Sequence, residues 1–344
     1  MLHHTQLDYQ KNFGAIDKPG TRRINKTPVP RLGGIAVIIG FLLSCTYLLI
    51  VMTLEKTFFP FGEEQYFHKL MGVLLGILVL AVFCFVDDVR GLPAIVKLIG
   101  QTIAAIIVVS FGTQIDNINI PFLEQTLNIN NHVYIYIISV GWIVGITNAI
   151  NLIDGLDGLS SGITLISCFS LIIVFTMNQS PVISIILITA LAGAIVGFMP
   201  YNIHPAKTFI GDIGAQFLGF SLAIISILGT AKTYTLLVLI SPLIILAIPI
   251  ADTLFAIIRR VIKGKSIKAI FAPDTGHLHH KLMKKGYSQK QAVLILYGIS
   301  ACFGMFAIIL LESGIWKAIS FALMILAISA IGYKEFTRTK KDGE

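Results

Sequence analysis

Ten runs of roughly 20 mostly apolar residues divide this sequence, and they restrict its fold more than any other feature. Only 13% of the residues are charged, which is too little polar surface to cover a water-soluble globule. The sequence therefore predicts an all-α polytopic integral membrane protein with about ten transmembrane helices. The predicted spans lie near residues 32–54, 70–86, 96–115, 133–152, 159–178, 182–200, 213–229, 235–258, 291–311 and 315–333.

The Lys and Arg residues between these runs indicate the orientation of the chain. With the N-terminus in the cytoplasm, 22 of the 26 basic residues fall in inner segments. The other four are Lys56, Lys69, Lys232 and Lys317. Under the positive-inside rule this asymmetry, with an even number of spans, predicts that both termini are cytoplasmic. It also accounts for the net charge of +8, so nucleic-acid binding is not indicated.

The same pattern predicts the domain organisation. A basic cytoplasmic segment over residues 1–31 precedes a single transmembrane domain over 32–333. The longest cytoplasmic loop of that domain spans 259–290, and a basic cytoplasmic tail follows over 334–344.

Six aspartates fall at span ends on the predicted cytoplasmic side. One Asp at a helix centre costs about 2.5–3.5 kcal/mol on insertion scales, so six at mid-bilayer would cost on the order of 15–20 kcal/mol. We therefore expect them at a wet cytoplasmic mouth, in a site that binds cations or phosphate. They are Asp87, Asp88, Asp154, Asp157, Asp212 and Asp252.

The pair Asp87-Asp88 suits a general base, because adjacent carboxylates repel and one of them is expected to have a raised pKa. The alternative is a solvated loop that ends a helix. Lys97 follows ten residues after Asp87 and is either part of the site or a positive-inside charge.

A second block offers oxygen ligands at helical spacing. Asn148, Asn151 and Asp154 are three residues apart, so they share one stripe of a helix, and Asp157 follows. Amide and carboxylate oxygens suit Mg²⁺ better than zinc. Polar contacts between helices are the alternative.

Two further blocks complete the pattern. Gly211-Asp212 opens a span, where the carboxylate can bind a metal or cap the helix. Three histidines lie in the long basic loop, where phosphate recognition is favoured over zinc and contact with anionic lipid is the alternative. They are His277, His279 and His280.

A hard divalent metal, a carboxylate base and cationic groups for phosphates are the parts of a phosphoryl-transfer site. The sequence has no P-loop and no kinase signature, so ATP use is not indicated.

The ordered blocks resemble those of the polyprenyl-phosphate N-acetylhexosamine-1-phosphate transferases, from about Asp17 to about Ala292. Members of that family are membrane enzymes that transfer a sugar-1-phosphate from a UDP-sugar to undecaprenyl phosphate and release UMP. The blocks that carry the resemblance are Asp17-Lys-Pro, Pro30-Arg31-Leu-Gly33-Gly34, Asp87-Asp88, Asn148 to Gly158, Gly211-Asp212 and His277-Leu-His279-His280.

The resemblance implies roles at the centre of the site. Asp212 and Asn151 would be ligands of Mg²⁺, with Mn²⁺ as the alternative metal. Asp87 and Asp88 would be the catalytic pair, and Lys97 would contact the pyrophosphate.

The resemblance also implies a set of substrate-binding residues around this centre. Asn202 and Phe209 would hold the uracil, and the histidines would close over the sugar and phosphate. The full set is Lys97, Asn148, Asp154, Asp157, Asn202, Phe209, Gly211, His277, His279 and His280.

Within the family, Pro30-Arg31-Leu-Gly33-Gly34 and the His-Leu-His-His block are most similar to the GlcNAc-1-phosphate branch, which starts wall teichoic acid, O-antigen or similar polymers. The implied substrates are a UDP-N-acetylhexosamine and undecaprenyl phosphate, at the inner membrane of a bacterium. Members of this branch usually have a further span before Asp17, which residues 1–12 do not supply.

Two other functions stay open. One is the muramoyl-pentapeptide phosphotransferase branch, and the other is a cation-coupled secondary transporter. The sequence does not decide whether the protein is a homodimer.

Overall fold

The computed structural model describes residues 16–17, 28–55, 64–115, 117–120, 125–128, 131–230, 236–264 and 276–326. Most of the predicted segment 1–31, residues 265–275 of the long loop and the whole predicted tail 334–344 lie outside this part of the chain. The described helices are α1 (Gly33–Leu54), α2 (Glu64–Arg90), α3 (Ala94–Ser110), α4 (His132–Ile153), α5 (Leu159–Met177), α6 (Val182–Asn202), α7 (Gly211–Thr230), α8 (Leu236–Ile245), α9 (Ala247–Gly264), α10 (Leu278–Lys284), α11 (Gln289–Ser313) and α12 (Ile315–Leu326).

Six of these helices are long and apolar enough to cross a membrane, which makes the protein a multi-pass membrane protein. They are α2, α4, α5, α6, α7 and α11. Large apolar side chains stay exposed on the outer faces of the bundle, as at Leu43, Leu78 and Ile137. Such faces suit contact with lipid rather than water.

Helix α7 lies at the centre of the bundle. It packs against α1, α2, α4, α5, α6 and α8. Every residue from Ile213 to Gly229 is buried, as expected for a helix that is apolar on all sides. In a bilayer such contacts depend on close packing rather than on the hydrophobic effect. One example is the edge-to-face contact of Phe41 on α1 with Phe217, whose ring centroids are 5.4 Å apart.

The predicted span 235–258 is divided into two helices, α8 and α9, with a turn at Leu246. The physical reason is Pro249, which has no N–H to donate to the carbonyl of Ile245 four residues earlier. Hydropathy alone predicts one continuous span here, because it does not change at the turn.

Two short strand pairs accompany the helices. In the first, β1 (Ile16–Asp17) pairs antiparallel with β2 (Val29–Pro30), and Asp17 lies opposite Val29. In the second, β3 (Asn117–Ile120) pairs antiparallel with β4 (Gln125–Asn128). The first pair brings the Asp17 block beside the Pro30-Arg31 block, although the prediction of an all-α fold contained no strands.

Candidate active site

A lysine and two aspartates from three helices meet at one end of the bundle. The Nζ atom of Lys97 on α3 lies 2.5 Å from Oδ2 of Asp87 on α2. It also donates a hydrogen bond of 2.8 Å to Oδ2 of Asp212 on α7. We call Asp87, Asp88, Lys97 and Asp212 the carboxylate cluster. The side chains of Lys97 and Asp212 are 26% and 25% exposed, so the cluster is open to a substrate.

The turn between α2 and α3 explains how Lys97 reaches Asp87. Helix α2 ends at Arg90, and Pro93 starts α3, a position that proline tolerates because no helical N–H is needed there. The Oδ1 atom of Asp87 accepts a hydrogen bond of 2.7 Å from the N–H of Leu92 in this turn. The local contacts therefore point one Asp87 oxygen into the turn and the other at Lys97.

Asp88 caps helix α7 from outside that helix. Its Oδ1 accepts from the N–H of Asp212 and its Oδ2 from the N–H of Ile213, both at 3.0 Å. The first N–H groups of a helix have no partner within the helix and attract negative charge. Arg31 adds a cation, with Nη2 3.6 Å from Oδ1 of Asp88. Asp88 therefore holds the start of α7, and with it Asp212, against α2.

The chain before α7 is held to strand β2 and the start of α1. The N–H of Phe209 donates to the carbonyl of Pro30 at 2.8 Å, and Gly33 N–H donates to the carbonyl of Phe209 at 3.1 Å. Gly211 has a φ of +70°, and a Cβ there would overlap the carbonyl oxygen of Arg31. A glycine is therefore needed at this position for both the backbone conformation and the close approach.

Two buried glutamines and the half-buried Asn148 lie one helical turn further into the bundle. Asn148 Nδ2 donates to Gln101 Oε1 at 2.6 Å, and Gln101 Nε2 donates to Gln216 Oε1 at 2.8 Å. We call Gln101, Asn148 and Gln216 the amide layer. It connects α3, α4 and α7, so Asn148, which was predicted to bind substrate, has its amide donor engaged within the protein.

Asn151 and Asp212 supply the atoms that fit a hard metal ion. The Oδ1 atom of Asn151 is buried and has no hydrogen-bond partner within the described residues. Among those residues no three His, Cys, Asp or Glu side chains form a metal-binding group. Mg²⁺ needs no such group, because it commonly uses one or two carboxylates, several waters and substrate phosphates. An amide oxygen without a partner and a partly exposed carboxylate are consistent with that mode of binding.

Asp154 lies just beyond α4 and responds to the cluster electrostatically. Burial of its carboxyl raises its pKa to about 7, and the negative charges of Asp212 and Asp88 add to this effect. A hydrogen bond of 2.6 Å from Ser160 Oγ and the charge of Arg31 oppose it. The charges of the carboxylate cluster therefore act on the protonation of Asp154, and its substrate-binding role stays a prediction.

The carboxylate of Asp157 makes its contacts with the loop after α6. Its Oδ2 contacts Nδ1 of His204 at 2.7 Å and accepts from the N–H of Ala206 at 3.2 Å. These contacts connect Asp157 to the loop after α6 rather than to the carboxylate cluster.

Asn202 is also engaged at both ends of its side chain. Its Oδ1 accepts from Ser161 Oγ at 2.9 Å, and its Nδ2 donates to the carbonyl of Thr208 at 3.1 Å. These bonds shape the loop that leads to Phe209, a partly exposed residue. The uracil-binding roles predicted for Asn202 and Phe209 stay predictions.

The predicted histidines lie on and beside the short helix α10. His277 Nδ1 contacts Oδ2 of Asp252 on α9 at 2.8 Å, and Oδ1 of Asp252 accepts from the N–H of Leu278 at 2.9 Å. The ring of His279 stacks on that of His277, with centroids 5.8 Å apart, and is 4.2 Å from the ring of His280. We call residues 277–284 the histidine segment.

The histidine segment packs on the loop after α4. A Cβ at Gly155 would overlap the ring of His279, so a glycine is needed beside Asp154 for this contact. The pKa of His279 is lowered to about 4, first by burial and then by the neighbouring His280 and His277, while Asp252 opposes the shift. His279 is therefore neutral near pH 7.

The structure connects the predicted blocks, and it adds residues to which the sequence assigns no role in the site. Those residues are Arg31, Gln101, Gln216 and Tyr297, whose hydroxyl donates to the carbonyl of Gly158 at 2.5 Å. The glutamines had a readable signal, since Gln101 lies four residues after Lys97 and Gln216 four after Asp212 in otherwise apolar helices.

Sequence comparisons place these residues among known enzymes. Residues 70–230 match the sequence model of glycosyl transferase family 4. The chain is 38% identical over 316 residues to a probable undecaprenyl-phosphate N-acetylglucosaminyl 1-phosphate transferase of Bacillus subtilis (strain 168), covering 92% of this chain and 82% of the relative.

Two more distant relatives have different substrates in their names. A decaprenyl-phosphate N-acetylglucosaminephosphotransferase of Mycobacterium leprae (strain TN) is 32% identical over 313 residues, or 82% of this chain and 73% of the relative. A phospho-N-acetylmuramoyl-pentapeptide-transferase of Geobacillus sp. (strain WCH70) is 31% identical over 297 residues, or 82% and 84%. With these matches spanning most of its length, the chain belongs to glycosyl transferase family 4.

Proposed function

We propose that this protein transfers GlcNAc-1-phosphate from UDP-GlcNAc to undecaprenyl phosphate and releases UMP. The observation that carries the proposal is the carboxylate cluster, in which Lys97 joins Asp87 and Asp212. The buried amide oxygen of Asn151, which has no hydrogen-bond partner among the described residues, adds a candidate metal ligand. The 38% identity to a relative named for this reaction supports the choice of GlcNAc over the muramoyl-pentapeptide donor. The reaction would be the first membrane step of a cell-envelope polysaccharide such as wall teichoic acid or O-antigen.

In the proposed reaction, a phosphate oxygen of the lipid attacks the β-phosphorus of UDP-GlcNAc. A new phosphoanhydride bond forms there, and the bond from the β-phosphorus to the bridging oxygen breaks, so that UMP leaves with that oxygen. One phosphoanhydride replaces another, and added UMP should therefore reverse the reaction.

The residues of the cluster have separate tasks in this reaction. Lys97 binds the diphosphate and balances its charge, because its ammonium is partly exposed. Asp87 orients Lys97 and the incoming lipid phosphate, while Asp88 is a positioning residue that holds the start of α7. Asp212 and Asn151 would hold Mg²⁺, or Mn²⁺, which neutralises phosphate charge when it is bound.

The proposal includes a location. The site lies at the cytoplasmic face of the inner membrane of a bacterium. The positive-inside rule puts the basic segments in the cytoplasm, and the site aspartates lie at the ends of the spans on that same side. Single cysteines test this orientation. Lys281→Cys should react with an impermeant maleimide from the cytoplasmic side only, and Lys317→Cys from the opposite side only.

The test of function uses the purified full chain with undecaprenyl phosphate, UDP-GlcNAc and Mg²⁺. UMP release and the mass of the lipid product are measured, with UDP-GalNAc and the UDP-linked muramoyl-pentapeptide as parallel donors. We expect product from UDP-GlcNAc only, loss of turnover in EDTA, and recovery on adding Mg²⁺ or Mn²⁺. Solute uptake by proteoliposomes without UMP release would favour the transporter instead.

A further inference from the structure

Each amide of the amide layer lies one helical turn from a residue of the proposed site. Gln101 follows Lys97 by four residues on α3, and Gln216 follows Asp212 by four on α7. Asn148 precedes Asn151 by three on α4. Side chains at these spacings lie on the same helix face, about 5 Å apart along the axis. The amide layer therefore lies directly beneath Lys97, Asn151 and Asp212.

Burial makes the bonds of this layer specific to one arrangement of the helices. Gln101 and Gln216 are each 1% exposed, so their amides have no access to water. A buried amide that loses its hydrogen bond destabilises the fold, because no water replaces the lost partner. Rotation or sliding of α3, α4 or α7 would break the bonds of 2.6 and 2.8 Å and leave such amides unpaired.

The bonds of the layer form a chain with one end open. Gln216 accepts from Gln101, but its own Nε2 is buried without a partner among the described residues. Gln101 is the middle member, since its Oε1 also accepts from Asn148. Within the layer, Gln216 therefore acts through Gln101.

We propose that Gln101 and Gln216 are positioning residues, which set the separation of Lys97, Asn151 and Asp212 by holding α3, α4 and α7 in register one turn below them. The inference rests on the proposed function. It concerns the geometry of the site rather than the identity of the substrates.

Single and double variants test this role. Gln101→Met and Gln216→Met keep side-chain length and remove the hydrogen bonds. They should fold, because single hydrogen bonds between transmembrane helices contribute little to stability and the packing around α7 is kept. If Gln216→Met does not yield folded protein, the shorter Gln216→Asn is measured in its place.

The matched control is Ser226→Ala. Ser226 Oγ accepts a hydrogen bond of 2.9 Å from Nε1 of Trp142, which also connects α4 and α7. This bond lies ten residues beyond Gln216 along α7, about 15 Å further from the site. The variant thus removes an interhelical bond of similar kind without touching the layer.

Two readouts separate positioning from general stability. The first readout is kinetic: kcat for UMP release, and the Mg²⁺ concentration that gives half the maximal rate. The second is the affinity for Mn²⁺ in the absence of substrates, measured from the EPR signal of the unbound ion. We expect each glutamine variant to lose about tenfold in kcat and in Mn²⁺ affinity, at the low end of losses for residues that support metal ligands. Ser226→Ala should change neither, and Gln101→Met/Gln216→Met should be no worse than Gln101→Met.

The inference is overturned if the glutamine variants behave like Ser226→Ala, or if the losses of the two single variants multiply in the double variant. A wild type that binds Mn²⁺ but releases no UMP contradicts the proposed function alone, since the Mn²⁺ readout still tests the layer. A wild type that does neither removes both proposals.

Discussion

The carboxylate cluster and the histidine segment are both assigned to the proposed site, but they are held in different ways. The cluster joins charged side chains from α2, α3 and α7, and its helix α7 is surrounded by other helices of the bundle. The histidine segment is anchored by one carboxylate, Asp252, and by the packing of His279 on Gly155. The first should therefore be sensitive to the removal of charge, and the second to the loss of one anchor or to protonation.

Asp212→Asn should have the largest effect on the cluster side of this comparison. The change keeps side-chain size but removes the negative charge that contacts Lys97 and would hold the metal. We expect steady-state UMP release to fall by about 100- to 1000-fold, as for other groups that stabilise transition-state charge. Glu312→Gln, which changes an exposed carboxylate at the end of α11, is the control outside the site, and turnover of Asp212→Asn equal to that control would contradict the assigned role.

Lys97→Gln separates the contribution of the cluster to stability from its contribution to turnover. It leaves Asp87, which is almost fully buried, without its cation. Unpairing a buried charge costs about 3–5 kcal/mol, and the partial exposure of Lys97 should reduce this to about 1–3 kcal/mol. Adding Asp87→Asn should restore much of the thermal stability in detergent, whereas UMP release should stay low. Recovery of both would mean that Lys97 has only a structural role.

Asp252→Ala tests the anchor of the histidine segment. The loss of both hydrogen bonds should lower kcat/KM about tenfold and increase protease cleavage near α10, while the carboxylate cluster stays intact. Asp252→Asn should have a smaller effect, because its oxygen can still accept from the N–H of Leu278. Equal effects of the two variants would show that the bond to Leu278 contributes nothing.

Of the changes considered, a shift of pH near neutrality should have the smallest effect. His279 has a pKa of about 4 when it is packed on Gly155, against about 6.5 when it is free, so protonation favours release. The packed form is fully favoured above pH 6.5 and loses up to about 3 kcal/mol as the pH falls towards 4. The protection factors of the amides of residues 278–284, which correct exchange for its intrinsic pH dependence, should fall over this window. In His279→Gln this fall should be absent, and a fall of the same size in this variant would exclude His279 as its cause.

The sequence predicts the convergence of distant aspartates for two reasons. Charge is costly inside a bilayer, and the basic residues indicate which ends of the spans lie on the same side of the membrane. The pairing of Lys97 with Asp87 and Asp212 fits that expectation. The residue roles at the site stay predictions, as do the cytoplasmic orientation and the number of spans.

Other features need the packed structure. Hydropathy does not show that Asp88 caps α7, since the N–H groups it binds belong to a helix 124 residues away in the chain. The bond between Gln101 and Gln216 depends likewise on which faces of α3 and α7 meet. The turn at Leu246 was readable from Pro249, but the apolar run through it hid the signal.

Because α7 is enclosed by protein, the geometry of the proposed site should depend little on the thickness of the membrane. Membranes that differ by a few ångströms in thickness make helices tilt at modest cost. The outer helices, with apolar side chains exposed, can absorb such tilts, whereas α7 has protein on every side. Asp212 stands at the end of this inner column, so the reacting groups should keep their spacing while the outer ring adapts to the lipid.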